Sequence, residues 1–351
     1  MIVEDITLDT LFLPFRIGQL DWPTDGALFL RARDGHALRQ QPLPGLVCEQ
    51  SFKPDADALQ RAGFIVTNDE HKTFSLVLLL PPRQRDEARA SMARAIAIAK
   101  PGGCVLACVA NNEGARSSEF DLAKLTGELT ALSKNKCRIF WTGPIDDKIN
   151  TALLNEWLTL DAIRPIDNDR FVSRPGVFAW DRIDTASALL VKHFPNDLAG
   201  RAADLGTGFG YLSAELLTRC RRITALDVYE AENRALDLAR RNLTNFESRV
   251  KVDYFWHDVT SGLQRKYDVI VSNPPFHTRS RTDRPDIGRR FIVAAAEALN
   301  PGGRLWLVAN RHLPYEAVLD ANFGTVRIVA QEQGFKIIEA IKSVKTQRTK
   351  R

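Results

Sequence analysis

Short apolar runs alternate along the chain with longer amphipathic segments. In the first half, FSLVLLL at residues 74–80 reads as a strand, and DEARASMARAIAIAK at 86–100 reads as a helix by its pattern and its alanines. PGG then predicts a stop, and CVLACVA at 104–110 a further strand. The second half repeats the alternation more clearly. Strands are expected at 202–205, 222–226, 250–256, 267–272 and 304–308, with helices at 211–219, 231–242 and 289–299. Strands alternating with helices predict an α/β fold with doubly wound, Rossmann-like sheets. A chain of 351 residues is long enough for two domains. Prolines and turn formers in IRPIDNDR and SRPG place the boundary near 160–174, dividing the chain into 1–165 and 166–351.

The halves resemble each other. FSLVLLLPP at 74–82 aligns without a gap on YDVIVSNPP at 267–275, and KPGG at 100–103 matches NPGG at 300–303. Each leads into a strand ending in Val-Ala-Asn. The pattern is that of a tandem duplication. Leu80 stands where the second half has Asn273, and no glycine-rich strand-to-helix turn is found in the first half. The first domain is therefore expected to keep the fold and to have lost the chemistry.

Composition changes little in this picture. With 44% apolar and 26% charged residues the chain reads as globular. No apolar run approaches the length of a membrane helix, and MIVEDITLDT lacks the features of a signal peptide. The five cysteines are scattered and odd in number, which predicts free thiols and a reducing cytoplasm, with no metal site. The net charge of +5 is modest. Its distribution says more, because basic residues cluster at Lys342, Lys345, Arg348, Lys350 and Arg351 and again at Arg279, Arg281, Arg284, Arg289 and Arg290. Solvated loops or phosphate contacts both fit such clusters.

Candidate chemistry begins at Asp204-Leu-Gly206-Thr207-Gly208-Phe-Gly210, at a strand-to-helix turn. Glycines allow close backbone approach to a ligand, and the helix start offers free N–H groups. Asp227 ends the run ITALD about 20 residues on, where a carboxylate can accept hydrogen bonds from ribose hydroxyls. These features point to an adenosine-containing cofactor and leave NAD and S-adenosyl-L-methionine (AdoMet) both open. The G-x-G-x-G spacing, and an acid at Asp204 suited to a cationic ligand, favour AdoMet.

The strand YDVIVS runs into Asn273-Pro274-Pro275-Phe276. Here the chain resembles the class I amino-methyltransferases, which carry (D/N/S)-P-P-(Y/F) after their fourth strand. The lone pair of an exocyclic amine is delocalised into its ring. The Asn273 side-chain oxygen and the Pro274 carbonyl can accept both amine hydrogens and turn that lone pair toward a methyl donor. The prolines fix the backbone, and Phe276 offers a stacking face for a flipped base.

Taken together, the duplicated halves, PGVF at 175–178, DLGTGFG, SNPPFH and VANRHLPYEAVLDANFG resemble the RsmC-type rRNA guanine-N2 methyltransferases of the small (16S) subunit. Close relatives of that group act on large-subunit rRNA. The resemblance implies a degenerate N-terminal methyltransferase-like domain, serving RNA binding or support, before a catalytic one. It implies AdoMet as cofactor, rRNA or the small subunit as partner, and a monomer. It also implies that Asp258 meets the adenine amine, and that the segment with Phe178 and Asp184 covers the methionine end of the cofactor. Thr207 stands where that group commonly has Cys, and residues 279–290 are unusually rich in arginine. Adenine N6, a protein glutamine, or a non-catalytic assembly factor with a vestigial pocket are the rival readings.

Overall fold

The computed structural model describes residues 5–40, 42–67, 72–275 and 285–344. Phe276, Arg279, Arg281, Arg284 and the basic residues 345–351 lie outside them. The chain divides into two compact units, residues 1–163 with 174–176, and residues 164–173 with 177–351. Among the described residues, no helix is long and apolar enough to cross a membrane.

The first unit holds β1 (Ala27–Leu30), β2 (Leu46–Glu49), β3 (Ile65–Val66), β4 (Phe74–Leu79), β5 (Ala99–Ala110), β6 (Leu129–Lys134) and β7 (Cys137–Thr142). They form one sheet in the order β3-β2-β1-β4-β5-β7-β6. The second unit opens on a hairpin, β8 (Arg164–Ile166) with β9 (Phe171–Ser173). Its main sheet comprises β10 (Ala199–Leu205), β11 (Arg222–Glu230), β12 (Lys251–Trp256), β13 (Tyr267–Ser272), β14 (Leu299–Asn310), β15 (Thr325–Glu332) and β16 (Phe335–Ile341). Their order, β12-β11-β10-β13-β14-β16-β15, is the same arrangement again.

The inner strands are parallel, and helices cover them, so they must be apolar on both faces. β4 and β13 satisfy this with an identical burial pattern, one half-buried residue followed by four buried ones after a buried start. β5 and β14 also match position by position in burial. Each carries a Pro-Gly-Gly bulge inside the strand, where sequence alone expects a break. Pairing jumps from Ala99 to Cys104 opposite β4, and from Leu299 to Arg304 opposite β13. The edge strands are antiparallel hairpins with two-residue turns, Asn135-Lys136 and Gln333-Gly334, in which φ is positive at all four positions. That conformation matches the twist of the flanking strands.

The core of the second unit includes Tyr267, Ile270, Ile292, Leu305, Leu319 and Tyr315, each 1% exposed or less. Gly288, on the Pro285–Ala298 helix, makes room for the last of these: a Cβ there would lie 1.8 Å from the Tyr315 hydroxyl oxygen. Gly288→Ala is therefore expected to destabilise the protein by about 1–3 kcal/mol, read as a lower urea midpoint. An unchanged midpoint would mean that the Tyr315 ring yields freely.

The order of the second sheet fixes where a ligand belongs. From β10 the chain winds outward through β11 to β12, then crosses back to β13 on the other side of β10. In open α/β sheets, ligands bind beyond the carboxyl ends of the strands flanking such a reversal. Here those ends are Leu205 and Ser272, which pair across the sheet and are linked by a bond from Ser272 Oγ to the Leu205 carbonyl, 2.7 Å.

Candidate active site

Asp204 lies at the end of β10 and is fully buried. Its Oδ2 accepts from Thr207 Oγ1 at 2.9 Å and Ser213 Oγ at 2.7 Å. Its Oδ1 is buried and has no partner among the described residues. Burial pushes this carboxyl up to about 6, against the pull of the two hydroxyls. Downstream, Gly206, Gly208 and Gly210 have φ of 75°, 57° and 96°. The Gly206 and Thr207 amides donate to the Tyr229 carbonyl, which folds the loop against β11. Gly210 also serves packing, since a Cβ would come within 3.3 Å of Ala239 Cα. At Gly206 and Gly208 a Cβ would meet nothing closer than 3.4 Å. Those two are thus demanded by backbone conformation, and Gly208 leaves an open face.

Asp227 departs from expectation. Its strand runs on for three more residues, so Asp227 sits within β11 and not at its end. It is 1% exposed. Arg201 Nη1 donates to its Oδ1 at 3.1 Å, while Arg265 Nη1 and Tyr267 Oη donate to its Oδ2 at 3.0 and 2.8 Å. Tyr229 in turn meets the Tyr267 hydroxyl at 2.5 Å. A carboxylate with donors on both oxygens inside the strand favours a structural anchor over a ribose contact.

The strand ends instead on Glu230, which sequence reasoning missed. Its Oε2 accepts the Gly208 amide at 2.7 Å and its Oε1 the Glu232 amide at 2.9 Å. Desolvation pushes its carboxyl up to about 7. The signal was present in Val228-Tyr229, two good strand formers beyond the polar residue that seemed to close the run.

Asn273 follows β13 and is half-buried. Its Nδ2 donates to Asp184 Oδ2 at 3.0 Å and to Ser187 Oγ at 2.9 Å. Both amide hydrogens are used, and among the described residues Oδ1 is left as an acceptor. Pro274 is buried and Pro275 exposed. Asp184 is the N-cap of the Thr185–Lys192 helix, accepting from the Ser187 amide at 2.8 Å. The same carboxylate oxygen thus accepts from both the helix start and Asn273. Phe178, on the preceding turn, is 60% exposed, and among the described residues no ring contact ties it to the glycine loop. Asp258 follows β12 and caps the short Val259–Ser261 turn, its Oδ1 accepting from the Thr260 amide and hydroxyl at 2.8 and 2.7 Å. Phe276 lies outside the described residues.

The Methyltransferase small domain family profile matches residues 168–339. A ribosomal RNA small subunit methyltransferase C from Haemophilus influenzae is 31% identical over 265 residues, covering 75% of this chain and 78% of its own length. The same enzyme from Erwinia tasmaniensis is 30% identical over 264 residues, covering 75% and 74%. This chain belongs to the ribosomal RNA small subunit methyltransferase C family. The T. thermophilus 16S rRNA N2 methyltransferase RsmC, solved with AdoMet and guanosine, shares the fold: the TM-score is 0.78 at 22% identity, covering 97% of this chain and 92% of that one.

The two methyltransferase-like sheets of this chain differ at matched positions. Strand pairing matches Leu30 to Leu205 and Glu49 to Tyr229, since each pair of neighbours lies in the same register. Arg31 therefore stands at the place of Gly206, still with positive φ (56°), and its guanidinium pairs with Glu87 at 2.9 Å. Gln50 stands at the place of Glu230. It keeps the contact with the amide two residues on, at 2.8 Å, but its Nε2 donates to the Ala32 carbonyl where Glu230 accepts an N–H. Leu80 occupies the place of Asn273 and is buried.

Proposed function

We propose that the second unit transfers a methyl group from AdoMet to the exocyclic N2 amine of a guanine in 16S rRNA of the small ribosomal subunit. The observation that carries this reading is the Asn273 amide, held by Asp184 and Ser187 so that its oxygen remains to accept a hydrogen. The names of the family relatives supply the substrate class, and the T. thermophilus enzyme, solved with guanosine, supplies the base.

The residues present fit AdoMet. The unpartnered Oδ1 of Asp204 suits an ammonium group, and Glu230, at the end of the second strand of the winding, suits ribose hydroxyls. Asp258 remains the candidate for the adenine amine. When bound, the cofactor supplies a methyl carried on a sulfonium. Asn273 Oδ1 and the Pro274 carbonyl accept the two amine hydrogens of guanine and expose its lone pair. The N–C bond forms as the C–S bond breaks, and the surplus proton leaves the methylated nitrogen to solvent. Orientation and electrostatics carry the rate, and no strong base is required. Exposed Arg289, Arg290 and Arg311 are available for phosphates. A monomer acting in the cytoplasm, with the first unit supporting or binding RNA, completes the reading.

Affinity for AdoMet is expected to depend on pH. Burial raises Asp204 to about 6 and Glu230 to about 7. Carboxyls raised in this way favour the protonated fold, so they reduce ligand-free stability as pH climbs from about 4 to about 7. A cationic ligand favours ionised Asp204 instead. Binding should tighten from pH 5.5 to 7.5 and release protons at pH 6, measured by calorimetry in buffers of differing ionisation heat. The same slope in Asp204→Asn would remove Asp204 from this role.

The function itself is tested with labelled AdoMet. Unmodified small subunits, large subunits and their naked rRNAs are offered in parallel, and product nucleosides are identified by mass spectrometry. N2-methylguanosine in small-subunit RNA is expected. Label in large-subunit RNA, in N6-methyladenosine or in a protein glutamine would replace the substrate. No label anywhere, with AdoMet bound, would make the chain a binding factor.

A further inference from the structure

Asn273 is followed by the prolines that aim its backbone, yet its side chain is held from 86 to 89 residues away. Asp184 Oδ2 is shared between the Asn273 amide nitrogen, 3.0 Å away, and the Ser187 backbone N–H at 2.8 Å. The Ser187 hydroxyl takes the other Asn273 hydrogen at 2.9 Å. Ser187 is 7% exposed and Asp184 half-buried.

Two consequences follow from donor and acceptor chemistry. A carboxylate can only accept, so the NH2 end of the amide must face Asp184 and the oxygen must face away. Turned over, the amide would offer hydrogens to an amine that needs acceptors. Further, position 273 must carry a donor. An aspartate there would set two carboxylates about 3 Å apart, and like charges at that range oppose joint ionisation.

We propose that Asp184 and Ser187 are positioning residues that fix the orientation of the Asn273 amide for the incoming base amine, and that positions 184 and 273 can exchange acid and amide only together. The inference rests on the methyltransfer reading given above. It explains why the motif here opens on Asn, and it gives the start of the Thr185–Lys192 helix a part in selecting an amine over other nucleophiles.

The full chain is compared as wild type, Asp184→Ser with Ser187→Ala, Asn273→Asp, and the exchange Asp184→Asn with Asn273→Asp. Serine preserves the helix N-cap but is too short to reach Asn273. The Asp184→Ser, Ser187→Ala protein should lose ten- to a hundredfold in kcat, with KM for the RNA and Kd for AdoMet within threefold. Asn273→Asp alone should lose more than a hundredfold at pH 7.5. The exchange should recover at least tenfold of that loss, because the amide introduced at position 184 can then donate to the carboxylate at position 273. A merely structural contact predicts no such recovery.

A second readout needs no turnover. In 15N-labelled protein the Asn273 NH2 protons, identified by their loss in Asn273→Ala, should exchange slowly with water in the wild type. They should exchange fast in the Asp184→Ser, Ser187→Ala protein. Exchange rates alike in the two proteins, or an exchange variant no better than Asn273→Asp while still binding AdoMet, would overturn the inference. If the wild type methylates no RNA but its amide is protected as described, the substrate assignment falls and the positioning stands.

Discussion

Asn273→Ala is expected to lower kcat for methyl transfer by at least about a thousandfold, near the upper range for removing one preorganised acceptor or donor at a reacting centre. AdoMet affinity should stay within about threefold. The alanine removes the oxygen that draws the amine hydrogen, and the lone pair falls back into conjugation with the ring. It disturbs little else, because Asp184 keeps its cap to the Ser187 amide and Pro274 and Pro275 still hold the turn. An interaction made with the reacting amine shows itself as an equal loss in kcat and kcat/KM. Single-turnover rates beside a direct measurement of AdoMet binding make the check. A parallel collapse of AdoMet affinity would move Asn273 from the substrate to the cofactor.

The second large effect separates two acids that lie three residues apart. Asp227→Ala should destabilise the protein by about 3 kcal/mol, at the low end for stripping one member from a buried ionic cluster. The low end applies because Arg201 and Arg265 are 36% and 40% exposed and can turn to water. The buried Tyr267 hydroxyl and the vacated space make up the rest. AdoMet affinity should be unchanged in whatever fraction folds. Glu230→Gln should weaken AdoMet by about tenfold, the scale of one charged hydrogen bond. It should cost less stability than Asp227→Ala, about 1–2 kcal/mol, because its new NH2 faces the Gly208 or Glu232 N–H that the carboxylate accepted. Denaturant titration and calorimetry on both variants decide. A loss of affinity confined to Asp227→Ala would restore it as the ribose acid.

The contrast shows what the sequence could reveal. The central strands are buried on both faces and read as plain apolar runs, so β4 and β13 were legible. The glycine loop and Asn-Pro-Pro were legible because few other residues meet their backbone and donor demands. Asp227 misled because a charge inside a strand looks like its end until its partners are known, and those come from Arg201 and Arg265, far off in the chain. Ser187 and Ser213 gave no signal at all: a serine early in a helix is commonplace, and only the fold brings one to Asn273 and the other to Asp204. The Pro-Gly-Gly bulges failed for a different reason. Proline and glycine mark a turn correctly, but a strand can loop out several residues and resume its pairing.

The repeated sheet also lets this protein serve as its own control. Where the halves agree at matched positions, as in the burial of β5 and β14 or the Pro-Gly-Gly bulges, the agreement records what it takes to build the sheet. Where they part, at Arg31 and Gly206, Gln50 and Glu230, Leu80 and Asn273, the differences fall at positions of the proposed site. Gln50 shows how fine that division is: one oxygen replaced by nitrogen, met by a carbonyl in place of an amide, leaves the strand end in place and removes its charge.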